Sequence, residues 1–116
     1  MNTRPLSVYF YANNSGHEPV RNWLKELDLH DKKIIGEDIK TMQYGWPLGM
    51  PLVRNLGDGL WEVRSQLASS RIARIIFFMR QNRIVLLHGF IKKTQKTPPD
   101  EIKLAQKRKK EVMNYE

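Results

Sequence analysis

Apolar residues recur along this chain with two different periods, and the change from one to the other falls in the Gly/Pro-rich stretch from Gly45 to Pro51. Ahead of it, Val8, Tyr9, Phe10 and Tyr11 form a β-branched and aromatic run within Leu6 to Tyr11, closed by Asn13-Asn14-Ser15-Gly16, which predicts a short strand and a loop. Pro19 suits a first helical turn. Val20, Trp23, Leu24 and Leu27 then fall at i, i+3, i+4 and i+7, the spacing of one buried helical face. Asp31 is placed to cap a second helix in which Ile35, Ile39 and Met42 keep helical spacing until Gly45 and Pro47 end it. The two helices are expected to form a hairpin.

Beyond Pro51 the pattern becomes extended. Leu52 to Leu56 and Leu60 to Leu67 are strand candidates joined by a Gly57-Asp58-Gly59 turn, with Trp61, Val63 and Ser65 on one face of the second and Glu62 and Arg64 on the other. Ala68-Ser69-Ser70 makes the next turn. Arg71 to Arg80 and Arg83 to Lys93 read as two further strands around a Gln81-Asn82 hairpin loop. Thr97-Pro98-Pro99-Asp100 supplies an N-cap, a tolerated proline and a first-turn acid for a C-terminal helix with Ile102, Ala105 and Val112 on one side. The order β-α-α-β-β-β-β-α predicts an α+β fold, a twisted and mostly antiparallel sheet of four to five strands with an N-terminal helical hairpin and a C-terminal helix. The helices are expected on one side of the sheet.

Length fits a single domain spanning residues 1–116. No apolar run approaches the roughly 18 residues of a membrane span, the N-terminal stretch lacks a secretory pattern, and there is no cysteine, so a cytoplasmic protein without a membrane partner is expected. Charge is more informative. Lys and Arg number 20 against 12 Asp and Glu, and the segment from Val63 to Pro99 holds Arg64, Arg71, Arg74, Arg80, Arg83, Lys92, Lys93 and Lys96 with no acid at all. That leaves 12 basic against 12 acidic residues elsewhere, so one segment carries the whole excess of +8. A localised field of that kind fits a polyanionic partner such as nucleic acid, whereas charge serving solubility alone is mixed in sign.

The chemistry that the residues allow is narrow. With no cysteine and with His17, His30 and His88 far apart, no metal-ligand spacing is visible and no cofactor is implied. Neither a P-loop nor a nucleophile elbow is present. What remains is a cationic strand face: Arg64 beside Glu62, Arg71 and Arg74 opening the next strand, and Lys92 and Lys93 ending the last one. Cleavage of RNA by its own 2′-hydroxyl needs a proton acceptor, donors to an anionic phosphorane and an acid for the leaving oxygen, and Arg and Lys supply the second of these. In the blander reading, Arg64 pairs with Glu62 and the other cations are solvated. His88 reads as a packed histidine in an apolar strand, Trp61 and Phe90 read as core rather than base-stacking residues, and the Lys107 to Lys110 run reads as a solvated helix face.

The runs Leu60-Trp61-Glu62-Val63-Arg64, Arg71-Ile72-Ala73-Arg74 and Leu87-His88-Gly89-Phe90-Ile91-Lys92-Lys93-Thr94-Gln95-Lys96-Thr97-Pro98 resemble the core signature of RelE/ParE-superfamily toxins, nearest the HigB-like, phage-derived branch. The resemblance implies a fold like that of compact microbial ribonucleases. It also implies metal-independent endoribonuclease activity on mRNA at the ribosome, and neutralisation by an antitoxin, a helix-turn-helix HigA-like protein. Carried onto this sequence, it makes Arg64, Arg71, Lys93 and Glu62 catalytic candidates and Arg74, Lys92 and Lys96 RNA-binding ones. No tyrosine closely follows the last basic cluster, the nearest being Tyr115, so the general base is left among Glu62, Lys93 and His88, in that order. The alternatives are a ParE-like inhibitor of DNA gyrase and a nucleic-acid-binding module without catalysis.

Overall fold

A computed structural model describes residues 5–114. In chain order they form β1 (Ser7–Phe10), α1 (Pro19–Glu26), α2 (Leu29–Gly45), β2 (Val53–Gly57), β3 (Leu60–Gln66), β4 (Ile72–Arg80), β5 (Arg83–Lys92) and α3 (Pro99–Asn114). The five strands make one sheet in the order β1-β5-β4-β3-β2, antiparallel except that β1 runs parallel to β5. The expected α+β class and element order hold. No helix among the described residues is long and apolar enough to cross a membrane.

Both faces of the sheet are covered, which corrects the expectation that the helices share one side. Val20, Ile35 and Met42 of α1 and α2 pack on Val63, Ala73, Ile75, Phe77 and Leu86, whereas Ala105 of α3 packs on Leu60, Ile76, Phe78, Val85 and Leu87. The near-continuous apolar run from Ile72 to Met79 is the cause, because a strand with helices on both faces needs apolar side chains at every position.

Two helix starts also differ from expectation. Asp28, not Asp31, caps α2, its side chain accepting the Asp31 N–H at 2.8 Å. At α3 the Pro98 carbonyl accepts the N–H groups of Glu101 and Ile102, and the Thr97 side chain turns instead into the sheet. The β4–β5 turn is as expected, with Gln81 and Asn82 at positive φ, the conformation of a tight two-residue hairpin.

One irregularity in β5 determines which side chains share a face. Ile76 pairs with His88 but Phe77 pairs with Leu86, so Leu87 is an extra residue, a β-bulge. Without it, alternation would send His88 toward α1 and α2. With it, His88, Phe90 and Lys92 lie on the α3 face, and Gly89 lies under the Trp23 ring of α1.

Candidate nucleic-acid interface

Antiparallel pairing of β3 and β4 sets Arg64 directly opposite Arg74. Like charges in that position repel, and the period of two that places Glu62 on the same face supplies the compensating charge. Glu62 Oε1 lies 3.5 Å from Arg64 Nε and 3.9 Å from Arg74 Nε, while Oε2 accepts a hydrogen bond from the Thr97 hydroxyl at 2.7 Å. Glu62 and Arg74 are fully buried, and Arg64 is 7% exposed. Burial pushes the Arg74 guanidinium below its ordinary pKa, and the neighbouring Arg64 charge acts in the same direction against the pull of Glu62.

The distal nitrogens of both arginines reach the segment between β5 and α3. Arg64 Nη2 donates to the Gln95 carbonyl at 2.8 Å, Arg74 Nη1 to the Lys92 carbonyl at 3.5 Å, and Arg74 Nη2 to the Thr94 carbonyl. With Thr97 held by Glu62, residues 92–97 are therefore fastened to the sheet by three buried side chains. Lys92, Lys93 and Lys96 project from that fastened segment and are exposed. The structure thus gathers Glu62, Arg64, Arg74, Lys92, Lys93 and Lys96 at one end of the sheet, the charged side chains of β3 and β4 inside and the lysines outside.

Arg71 stands apart from this network. It precedes β4 and reaches α2, donating Nη1 to Asp31 Oδ2 at 2.8 Å and Nη2 to Asp31 Oδ1 at 3.1 Å, while Nε donates to the Ala68 carbonyl. Hydrogen bonding from Arg71 holds the Asp31 carboxyl below its ordinary pKa, outweighing the upward push of burial. The Arg71 side chain is still 31% exposed.

On the α3 side, His88 Nε2 lies 3.0 Å from Glu101 Oε1 and Lys92 Nζ lies 3.6 Å from Glu101 Oε2. The Phe90 ring lies between them, stacked on His88 at 5.4 Å and approached by the cations of Lys92 and Arg74 at 5.8 and 5.9 Å. Trp61 packs edge-on against Trp46 in the α1/α2 core, in line with its core reading. Two members of the Lys107 to Lys110 run are held by the fold instead of simply projecting into solvent: Arg108 donates to the Leu87 carbonyl and lies over the Tyr11 ring, and Lys109 donates to the Asp58 carbonyl and lies over Phe78. Tyr115 lies outside the described residues.

Sequence reasoning missed Asp31, Thr97 and Glu101 as partners of the cationic residues. Each sits in the first turn of a helix or just before it, where acids and hydroxyls are ordinarily read as serving that helix. Only Glu101 left a signal, since it stands within the reach of a short connection from the basic end of β5.

Among the described residues, no group of three or more His, Asp or Glu side chains could hold a metal ion. The family model described as phage-derived protein Gp49-like matches residues 22–110, from within α1 to within α3. No curated protein matches the chain.

Proposed function

The chain belongs to the Gp49-like family of phage-derived proteins, a RelE-toxin-like family, and from that premise we propose that it is the toxin of a type II toxin-antitoxin module, a HigB-like endoribonuclease that cleaves mRNA on the ribosome. The observation that carries this reading is the cationic end of the sheet, where exposed Lys92, Lys93 and Lys96 project from a segment pinned by the buried side chains of Glu62, Arg64 and Arg74. Exposed ammonium groups on a rigid support attract and position an RNA backbone without an ordering cost at each encounter.

In this proposal Lys92, Lys93 and Lys96 bind RNA phosphates, and Arg64 and Arg71 donate to the phosphoryl oxygens at the scission point, each keeping guanidinium N–H groups beyond its present partners. Lys93 stands at the same rim and contributes to charge stabilisation. Buried Glu62 and Arg74 fix the geometry of Arg64 and of residues 92–97, a positioning role consistent with their complete burial. A helix-turn-helix antitoxin of the HigA kind silences the toxin, and an acidic or carbonyl-rich element covering the lysine rim is the simplest way to do so.

The test is induced expression with pulse labelling. Loss of protein synthesis ahead of DNA synthesis, with cleaved mRNA, is expected. Arrest of DNA synthesis first would replace this reading with gyrase inhibition, and unimpaired growth at full soluble expression would remove the toxin reading.

A further inference from the structure

We propose that His88 is the general base of the cleavage reaction and that Glu101 positions it; the inference rests on the ribonuclease reading above. The bulge at Leu87 is the first support. That extra residue turns His88 onto the α3 face, beside Phe90 and Lys92, and bulges of this kind re-aim side chains next to functional sites.

Accessibility is the second support. The Glu62 side chain is fully buried with Oε2 taken by Thr97, so it has no open path to a substrate hydroxyl, whereas His88 and Glu101 side chains are 13% and 19% exposed. Orientation is the third. Glu101 Oε1 accepts from His88 Nε2 at 3.0 Å, which assigns the ring proton to Nε2 and leaves the lone pair on Nδ1 as the acceptor. The Phe90 ring stacked on the imidazole restricts its rotation, and Lys92, also on Glu101, brings a phosphate-binding charge to the same carboxylate.

In the step itself, the 2′-oxygen forms a bond to phosphorus as its proton passes to His88 Nδ1, and the bond from phosphorus to the 5′-oxygen breaks. The leaving 5′-oxygen takes a proton from water. The hydroxide so formed is neutralised by the proton on His88, which restores the resting state and leaves a 2′,3′-cyclic phosphate and a free 5′-hydroxyl.

Single-turnover cleavage of an mRNA on programmed ribosomes tests the assignment, with His88→Ala, His88→Gln and Glu101→Gln compared with the unaltered protein and each checked for folding by thermal melt. His88→Ala is expected to lose at least about a hundredfold in rate, the lower range for a general base, and added imidazole is expected to restore part of it. His88→Gln, which keeps a hydrogen bond to Glu101, is expected to lose as much and to gain nothing from imidazole, and Glu101→Gln to lose less. A folded His88→Ala protein within about threefold of the unaltered one, or one that imidazole does not restore, overturns the assignment. If His88→Ala does not fold, His88→Gln decides alone, and retention of the rate overturns the assignment. Cleavage that is independent of His88 removes only this inference, whereas an unaltered protein that leaves RNA intact removes the ribonuclease reading with it.

Discussion

The Thr97 hydroxyl donates to Glu62 Oε2 at 2.7 Å, a buried contact that joins the residue before the α3 lead-in to the middle of β3. Glu62 is at the same time the one carboxylate set against Arg64 and Arg74 within 4 Å among the described residues. The two bonds have different weights. Thr97→Val removes one hydrogen bond to a buried charge and is expected to cost about 1.5–3 kcal/mol. Glu62→Ala leaves two buried guanidinium groups without a counter-charge and is expected to cost about 3–5 kcal/mol or to prevent folding. Urea denaturation of the two variants checks the order, and equal, small losses would show that water screens the cluster.

Arg71 offers a sharper separation of structure from chemistry. If its guanidinium serves only to hold α2, Arg71→Ala and Asp31→Ala are equivalent in both stability and cleavage. The proposed function requires them to diverge. Asp31→Asn weakens the pair but leaves Arg71 free to face RNA, so cleavage is expected to stay within a few-fold, while Arg71→Ala loses roughly a hundred- to a thousandfold, the usual loss for a donor to a transition-state oxyanion. An exposed α3 cation, Lys107, serves as the control, with a mild loss that salt abolishes.

The same pair predicts an acid-side loss of stability. The folded Asp31 carboxyl titrates below its ordinary value because Arg71 hydrogen-bonds its charged form. A depressed folded pKa contributes stability that is fully present above the unfolded value, about 3.9, and that is lost as pH falls through the folded one. Melting temperatures are therefore expected to decline below about pH 4, and Asp31→Asn to flatten that part of the curve. An unchanged slope in the variant would assign the acid loss to other carboxylates.

Local pattern carried most of the fold, and pairing across the sheet carried most of the site. Strand positions and the β3 faces were legible because apolar and charged residues alternate from Trp61 to Arg64 with a period of two. The two-sided sheet was legible in principle from the Ile72–Met79 run, apolar at every position but Arg74, which an alternating, one-faced strand does not contain. The bulge at Leu87 was not legible, since Leu86-Leu87-His88 carries no glycine or turn residue to mark it. Nor was the burial of Arg64 and Arg74, because guanidinium groups are ordinarily exposed and only the β3–β4 register shows that Glu62 and three backbone carbonyls await them.

Gly89 is a point of close approach between α1 and the sheet, lying directly against the Trp23 ring. A Cβ there would lie 2.5 Å from Trp23 Cζ3 and 2.6 Å from Cε3, inside contact distance for a rigid ring. Gly89→Ala is accordingly expected to destabilise by about 1–3 kcal/mol through overpacking, with a change in tryptophan fluorescence. In a Trp23→Leu background the added methyl has room, so the same substitution is expected to cost less. Additive effects would place the strain in the β5 backbone instead.

The lysine rim makes a prediction that separates binding from cleavage. Fully 2′-O-methylated single-stranded RNA cannot react through its 2′-oxygen, so its affinity reports binding alone. Each phosphate neutralised by a lysine releases counterions, and for single strands the slope of log K against log salt changes by about 0.7 per contact. Lys93→Ala and Lys96→Ala are each expected to lower the slope by about that amount. Lys92→Ala is expected to lower it less, because Lys92 already lies 3.6 Å from the Glu101 carboxylate and part of its charge is spent there. Lys40, exposed on α2 across the sheet from α3, is the control and should leave the slope unchanged. A slope that drops equally for Lys40→Ala and Lys93→Ala would mean that RNA responds to the net charge of the whole protein and not to the pinned segment between β5 and α3.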